Sequence, residues 1–193
     1  MDLKQAKALA RKRLGDKRYR HTLNVEKMAV KLAEHYGADA QQAALAALLH
    51  DTAKEMPTAE QLALLRAHPD LAADTENRPT PIWHGVCAAI LAKTEWGVTD
   101  EAVLSAVACH TAGKPGMTLL DKILFLADMT SAERDFDGVE SLRRLAFEDI
   151  DRAMLAALEE SVSFVKHGGK PLDPMSAAAR DDFRRLLDGR QGK

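Results

Sequence analysis

Apolar residues recur along most of this chain at the three- and four-residue spacing of an amphipathic helix. Nine segments follow this pattern: 2–14, 18–36, 37–51, 58–68, 82–96, 99–110, 118–131, 138–169 and 173–189. We predict Asp39, Thr58 and Thr99 as N-caps of the third, fourth and sixth segments. The segment 138–169 is longer than most helices of globular proteins, so a break within it is allowed. No segment favours a strand, and the pattern predicts an all-α fold.

Composition favours the same fold class. Hydrophobic residues make up 46% of the chain, which excludes a disordered composition, and aromatic residues make up only 5%. Alanine and leucine carry much of the apolar content, and both favour helix over strand. A length of 193 residues suits one core. We therefore expect a single domain over residues 1–193, with a core of about 17–145 and C-terminal helices over 138–188 that pack on it.

Charge and cysteine content exclude several classes of protein. Lys and Arg number 27 against 29 Asp and Glu, so bulk charge does not indicate a nucleic-acid partner. The first residues lack the apolar stretch of a secretory signal, and no apolar run reaches the roughly 20 residues that span a bilayer. We expect a soluble, cytoplasmic protein with no membrane partner. Cys87 and Cys109 form no CxxC or disulfide framework and are interpreted as small buried hydrophobes. The oligomeric state stays open, with a homodimer as one option.

Polar residues interrupt the apolar faces at a few places. They are His21, His50, Asp51, His84, His110 and Asp128. They belong to five predicted helices, near the ends or on apolar faces, and such positions can meet at one depth of an antiparallel bundle. The pair in LLHDTAK is the strongest signal, because burying an imidazole beside a carboxylate is costly unless each finds a partner.

Each of these residues also has an ordinary interpretation. A single histidine on a helix is more often a satisfied core or surface group than a ligand, and Asp128 by itself could be a capping or ion-paired carboxylate. Three other histidines, His35, His68 and His167, serve as an internal comparison. They lie in polar surroundings near predicted helix C-termini, where the helix dipole favours a positive group. We interpret them as surface residues.

Imidazole and carboxylate groups together suit first-row transition metals. Two such ions a few Å apart can hold a phosphoryl group and lower the pKa of a water between them. Four ligands serve one ion. Six ligands with one shared aspartate are enough for two ions and leave positions open for substrate.

The order H…HD…H…H…D resembles the HD-domain superfamily of metal-dependent phosphohydrolases. The resemblance is closer to its YqeK-type branch, the symmetrical bis(5'-nucleosyl)-tetraphosphatases. The stretches that carry it span about residues 17–145: RYRHTLNVEKMAVKLA, LAALLHDTAKEM, WHGVCAA and ACHTAGKPGMTLLDKILFLADMTSAERDFDGVESLR. One difference follows Asp128, where this chain has MTSAERDF and many relatives have a Glu-Pro pair.

The resemblance implies a helical bundle with a dinuclear metal centre that cuts diadenosine tetraphosphate symmetrically into two ADP. It implies two transition-metal ions, iron by resemblance alone, and a hydroxide between them that attacks one phosphorus. The implied ligands of one ion are His21, His50, Asp51 and Asp128. His84 and His110 are the implied ligands of the second ion, with Asp51 shared between the two.

The resemblance also implies residues that act on the substrate. Asp51 and Lys54 are the expected catalytic residues, and Lys54 lies four residues after His50, which on a continuing helix is the same face. The expected substrate contacts are Arg20, Lys54, Thr111 and Arg134. Ordinary alternatives are a solvated cation at a helix end for Lys54, an ion pair with a neighbouring carboxylate for Arg134, and a turn cap for Thr111.

Other functions use the same residues. A nucleotidase or pyrophosphatase acting on other nucleotides would keep every ligand and differ only in its pocket. A non-catalytic nucleotide-binding regulator would have no reason to retain all six ligands together with Lys54. A helical interaction protein without a site would make the six buried-looking polar groups a coincidence.

Overall fold

The computed structural model describes residues 1–191, so the last two residues of the predicted 1–193 domain lie outside the described residues. Within this range the chain forms α-helices and no strand, as the hydrophobic pattern predicts. The helices are α1 (Leu3–Arg13), α2 (Asp16–Tyr36), α3 (Ala40–Leu49), α4 (Thr58–Ala67), α5 (Pro69–Ala72), α6 (Trp83–Thr94), α7 (Glu101–Cys109), α8 (Leu119–Thr130), α9 (Val139–Glu148), α10 (Ile150–His167) and α11 (Pro174–Gln191).

The structure confirms one of the three predicted N-cap residues. Asp39 caps α3, because its carboxylate accepts hydrogen bonds from the amides of Gln41 and Gln42 at 2.7 and 3.1 Å. The other two predicted caps are wrong by one residue. Thr58 is the first residue of α4 and not its cap. Asp100 takes the role predicted for Thr99, since an aspartate there accepts from two amides of the first turn of α7.

The long C-terminal segment divides at Asp149. This residue has an extended backbone (φ −154°, ψ 106°), and its side chain accepts from the amides of Asp151 and Arg152. It therefore ends α9 and caps α10 in one place. The segment predicted as a loop after α4 also differs, because it contains the one-turn helix α5 and two short 3-10 turns, Thr75–Asn77 and Thr80–Ile82.

Helix α3 lies at the centre of the bundle and positions the site. It contacts α1, α2, α6, α7 and α8. Its residues Ala46, Ala47, Leu48 and Leu49 are all buried, so the chain that leaves its C-terminus emerges inside the protein. The C-terminal helices build outward from α8, which contacts α9 and α10, and α11 packs against α10. Among residues 1–191, no helix combines the length and the apolar character needed to cross a bilayer.

Candidate metal centre

The four histidines and two aspartates that interrupt the apolar faces come together in the middle of the bundle. They are His21 on α2, His50 at the C-cap of α3, Asp51 directly after it, His84 in the first turn of α6, His110 at the C-cap of α7 and Asp128 on α8. All are buried except Asp128, which is partly exposed. These residues form three overlapping groups, and within each group the potential ligand atoms lie within 4.8 Å of one another. The groups are His21–His50–Asp51, His50–His110–Asp128 and Asp51–His84–His110.

Asp51 lies between the two halves of the cluster. Its Oδ2 is 3.3 Å from Nε2 of His50 and 3.7 Å from Nε2 of His21. Its Oδ1 is 3.2 Å from Nε2 of His84 and 3.8 Å from Nε2 of His110. Each carboxylate oxygen therefore faces a different pair of imidazoles, which is the arrangement that a carboxylate shared by two ions requires.

The Nδ1 atoms of the histidines face away from the cluster and have hydrogen-bond partners. His50, His84 and His110 each have a backbone carbonyl three residues earlier within reach, at 2.6, 2.9 and 2.7 Å. His21 instead contacts the carboxylate of Glu133. An Nδ1–H that donates outward leaves the Nε2 lone pair directed inward, which is how metal-binding histidines are commonly held.

The inward-facing atoms fit a cation. In the described chain, Nε2 of His21 and Nε2 of His50 are buried without a hydrogen-bond partner. The Nδ1 atoms of His84 and His110 donate to carbonyls, so the lone pairs of their Nε2 atoms face each other, with the two nitrogens 3.1 Å apart. Buried polar atoms without partners are costly, and a positive ion between them would remove that cost. The donor set of imidazole nitrogen and carboxylate oxygen suits first-row transition metals.

Burial and neighbouring charges together set the protonation of the potential ligands. Burial lowers the pKa of His110 to about 3, helped by the charges of His50 and His84, and burial also lowers the pKa of His84. For Asp51, burial acts to raise the pKa, but the surrounding imidazoles, His50 first, hold it well below its usual value. His50 differs, because burial acts to lower its pKa but the neighbouring Asp51 carboxylate raises it overall. Neutral imidazoles and ionised carboxylates are the forms that bind metals, so His84, His110 and Asp51 are held ready to bind, whereas an ion at His50 would displace a proton.

Three of the four residues expected to contact substrate lie at the cluster. Thr111 Oγ is 3.3 and 3.1 Å from the Nε2 atoms of His84 and His110. Arg134 pairs with the carboxylate of Asp128, and not with its sequence neighbours. Lys54 Nζ is 3.4 Å from both ring nitrogens of His84. Lys54 was expected to share a helix face with His50. Instead, α3 ends at Leu49 and the chain that carries Lys54 continues in turns.

Arg20 lies differently from the other three. It is exposed, and the arginine that reaches the cluster is Arg18, whose Nη1 is 2.9 Å from Asp51 Oδ2. The sequence contained a signal for this, since Arg18 precedes His21 by three residues and shares its face of α2, whereas Arg20 is adjacent to His21 and does not. A substrate contact by Arg20 stays a prediction.

A cleft of about 390 Å³ opens beside the cluster. It is lined by Lys17, Arg18, His21, Glu55, Glu133 and Arg134. Glu133 was missed by the sequence analysis as a partner of His21. No local pattern could have indicated it, because the two residues are 112 positions apart. The cleft therefore brings one potential metal ligand, His21, together with three cationic side chains, Lys17, Arg18 and Arg134.

The remaining histidines and the cysteines agree with their ordinary interpretations. His35 and His167 are exposed and His68 is partly exposed, so none belongs to the buried cluster. Cys87 and Cys109 are buried free cysteines. Burial raises the pKa of Cys87 to about 12, which makes its thiol unreactive at neutral pH.

Comparisons with known proteins agree with this geometry. The family model described as HD domain matches residues 18–133. The symmetrical bis(5'-nucleosyl)-tetraphosphatase of Bacillus subtilis (strain 168) is 36% identical over 174 residues, covering 90% of this chain and 93% of that protein. The protein of the same name from Halalkalibacterium halodurans is 37% identical over 178 residues, covering 92% and 95%.

A solved structure has the same fold as this chain. The crystal structure of a protein from Clostridium acetobutylicum, described as a predicted HD superfamily hydrolase involved in NAD metabolism, superimposes with a TM-score of 0.91 at 34% identity. The match covers 96% of this chain and 98% of that one. The chain belongs to the HD-domain family and, within it, to the family of the symmetrical bis(5'-nucleosyl)-tetraphosphatases.

Proposed function

We propose that this protein hydrolyses diadenosine tetraphosphate symmetrically to two ADP at the His/Asp cluster. The observation that carries the proposal is that Asp51 directs one carboxylate oxygen at each of two pairs of imidazoles. Relatives named for the symmetrical reaction align over about nine-tenths of the chain. In the reaction, water adds to one of the two central phosphorus atoms, the central P–O–P bridge breaks, and both halves leave as ADP.

The proposed metal ligands divide into two positions that share Asp51. His21, His50 and Asp128 complete the first, and His84 and His110 complete the second. When bound, two ions supply Lewis acidity that withdraws charge from a phosphoryl group and makes hydroxide available at neutral pH. Imidazole and carboxylate do not select one transition metal, so we propose iron on the family resemblance.

Lys54 is the proposed catalytic cation. Its ammonium lies 3.4 Å from His84 and is largely removed from solvent. A protonated lysine has no lone pair, so it cannot replace a ligand and is free to donate to a phosphate oxygen. In a buried site such a donor stabilises the charge that develops during phosphoryl transfer.

The remaining proposed substrate contacts lie between the cluster and its cleft. Arg18 and Arg134 each pair with a proposed ligand carboxylate and line the cleft, where a guanidinium has further N–H groups for phosphate. The Thr111 hydroxyl lies 3.1 Å from His110 and is close enough to donate to a phosphoryl oxygen. Arg20, being exposed, is the weakest of the proposed contacts. We further propose that the protein acts in the cytoplasm, where nucleotides of this kind are available.

Two measurements on the purified protein test the proposal. Elemental analysis should find about two transition-metal ions per chain. Products from diadenosine tetraphosphate should be ADP alone, and in ¹⁸O-water one ADP of each pair should carry the label on its terminal phosphate. The isosteric variant Asp51→Asn, prepared in the same way, should be inactive and so exclude a contaminating hydrolase. If the products include AMP and ATP, or if mononucleotides release free phosphate, the proposal of symmetrical cleavage is wrong and the protein is a different nucleotide hydrolase.

A further inference from the structure

We propose that Glu133 is a positioning residue for His21, and that through it the loop 131–138 controls the first metal position and not the second. The inference rests on the proposed two-metal site. It concerns a residue outside the ligand set, on a surface loop, whose contacts have no counterpart among the other three histidines of the cluster.

The carboxylate of Glu133 is fully engaged. One oxygen contacts Nδ1 of His21 and accepts the hydroxyl of Ser131 at 2.7 Å. The other oxygen accepts the side-chain amide of Asn24 at 2.6 Å. Asn24 lies three residues after His21 on the same face of α2, so Glu133 binds that face at two points. This arrangement fixes both the rotation of the His21 ring and the tautomer that leaves Nε2 free.

His21 needs a side-chain acceptor for its Nδ1–H because it lies in the interior of a helix. His50 and His110 lie at helix C-caps, where the carbonyls of the last turn have no helical partner and are free to accept their Nδ1–H groups. His21 lies inside α2, where the backbone carbonyls are already used by the helix. Its orientation therefore depends on a residue 112 positions away in the sequence.

The same loop also holds the second ligand of that position. Arg134 pairs with the Asp128 carboxylate, and its Nε donates to the Asp128 carbonyl at 2.9 Å. In the part of the chain that the structure describes, no residue of 131–138 forms a hydrogen bond with His84 or His110. A change in the loop is thus transmitted to the first position alone.

Cobalt(II) titration of the metal-free protein tests the inference, with binding followed by visible absorption and by competition with a chelator. For Glu133→Ala, the affinity of one ion should fall by about 10–100-fold while the affinity of the other is unchanged, as is typical when the partner of a ligating histidine is lost. Glu133→Gln retains an acceptor for Nδ1–H and should recover part of the affinity. Turnover of the cobalt-loaded Glu133→Ala enzyme should fall in kcat more than in KM.

Asp135→Asn is the matched control, since it removes the same charge from the same exposed loop, and Asp135 forms no hydrogen bond or ion pair with another described residue. It should titrate like the parent protein. The inference is overturned if Glu133→Ala loses affinity for both ions equally, or loses affinity for neither. If the parent binds cobalt but does not produce ADP, the proposed function fails while the titration still decides the role of Glu133. If the parent binds a single ion, its affinity in Glu133→Ala decides the positioning role by itself.

Discussion

Replacing Lys54 with methionine is expected to slow phosphoanhydride cleavage without removing metal. Burial lowers the pKa of Lys54, although the charge of Asp51 partly restores it. The side chain forms no ion pair within 4.0 Å among the described residues, and its hydrogen-bond contacts there are with the ring nitrogens of His84 at 3.4 Å. A partly buried ammonium that faces a proposed metal ligand, with no carboxylate in contact, is suited to a negatively charged substrate.

The expected effect is large enough to separate two interpretations. Removing one well-placed donor from a site of this kind typically costs about 10²–10³-fold in kcat, or roughly 2.7–4 kcal/mol in the barrier. A solvated cation near a helix end would instead contribute about 0.3–1 kcal/mol to stability and leave kinetics unaffected. Methionine retains the apolar stem of lysine, so little packing is lost in the comparison.

The assay measures kcat and KM on diadenosine tetraphosphate, metal content by elemental analysis, and melting temperature. Lys31→Met, which removes an exposed cation from α2, is the matched control and should resemble the parent in all three. Turnover of Lys54→Met within a few-fold of the parent would refute a catalytic role. A loss of metal in proportion to the loss of turnover would assign Lys54 to the support of the ligands instead of to the substrate.

Three further predictions concern the shared carboxylate, the loop and the backbone. Asp51→Ala should lower metal content more than His84→Ala, because the oxygens of Asp51 face both positions; equal residual metal by elemental analysis would contradict a shared ligand. Arg143→Ala should lower the free energy of unfolding by about 1–3 kcal/mol in urea and reduce kcat, since this guanidinium donates to three carbonyls within residues 130–134; unchanged kcat would show that the loop does not depend on it. Ala73→Gly should raise the free energy of unfolding by on the order of 1 kcal/mol, because Ala73 has φ +47° and ψ −132°, where a side chain is strained; a lower melting temperature would refute this.

The helices and the identity of the central polar groups could be predicted from local sequence. Helical periodicity is a property of neighbouring residues, so the all-α fold and most helix bounds follow from it. Asp39 was predictable as a cap because a carboxylate at that position satisfies amides only two and three residues away. The six polar residues were recognisable because each interrupts an apolar face, and their chain order carried the family resemblance.

Which side chains reach the cluster, and how they are held, depends on the packing of the helices. Arg18 shares a face of α2 with His21 and Arg20 does not, but it is the packing of α2 against the bundle that turns this face towards Asp51 and leaves Arg20 exposed. Glu133 lies on a loop with no periodic signal, and its contact with His21 exists only because α2 and the end of α8 are packed together. Such contacts depend on relative helix placement, which is fixed by burial of the whole core and not by any local stretch of sequence.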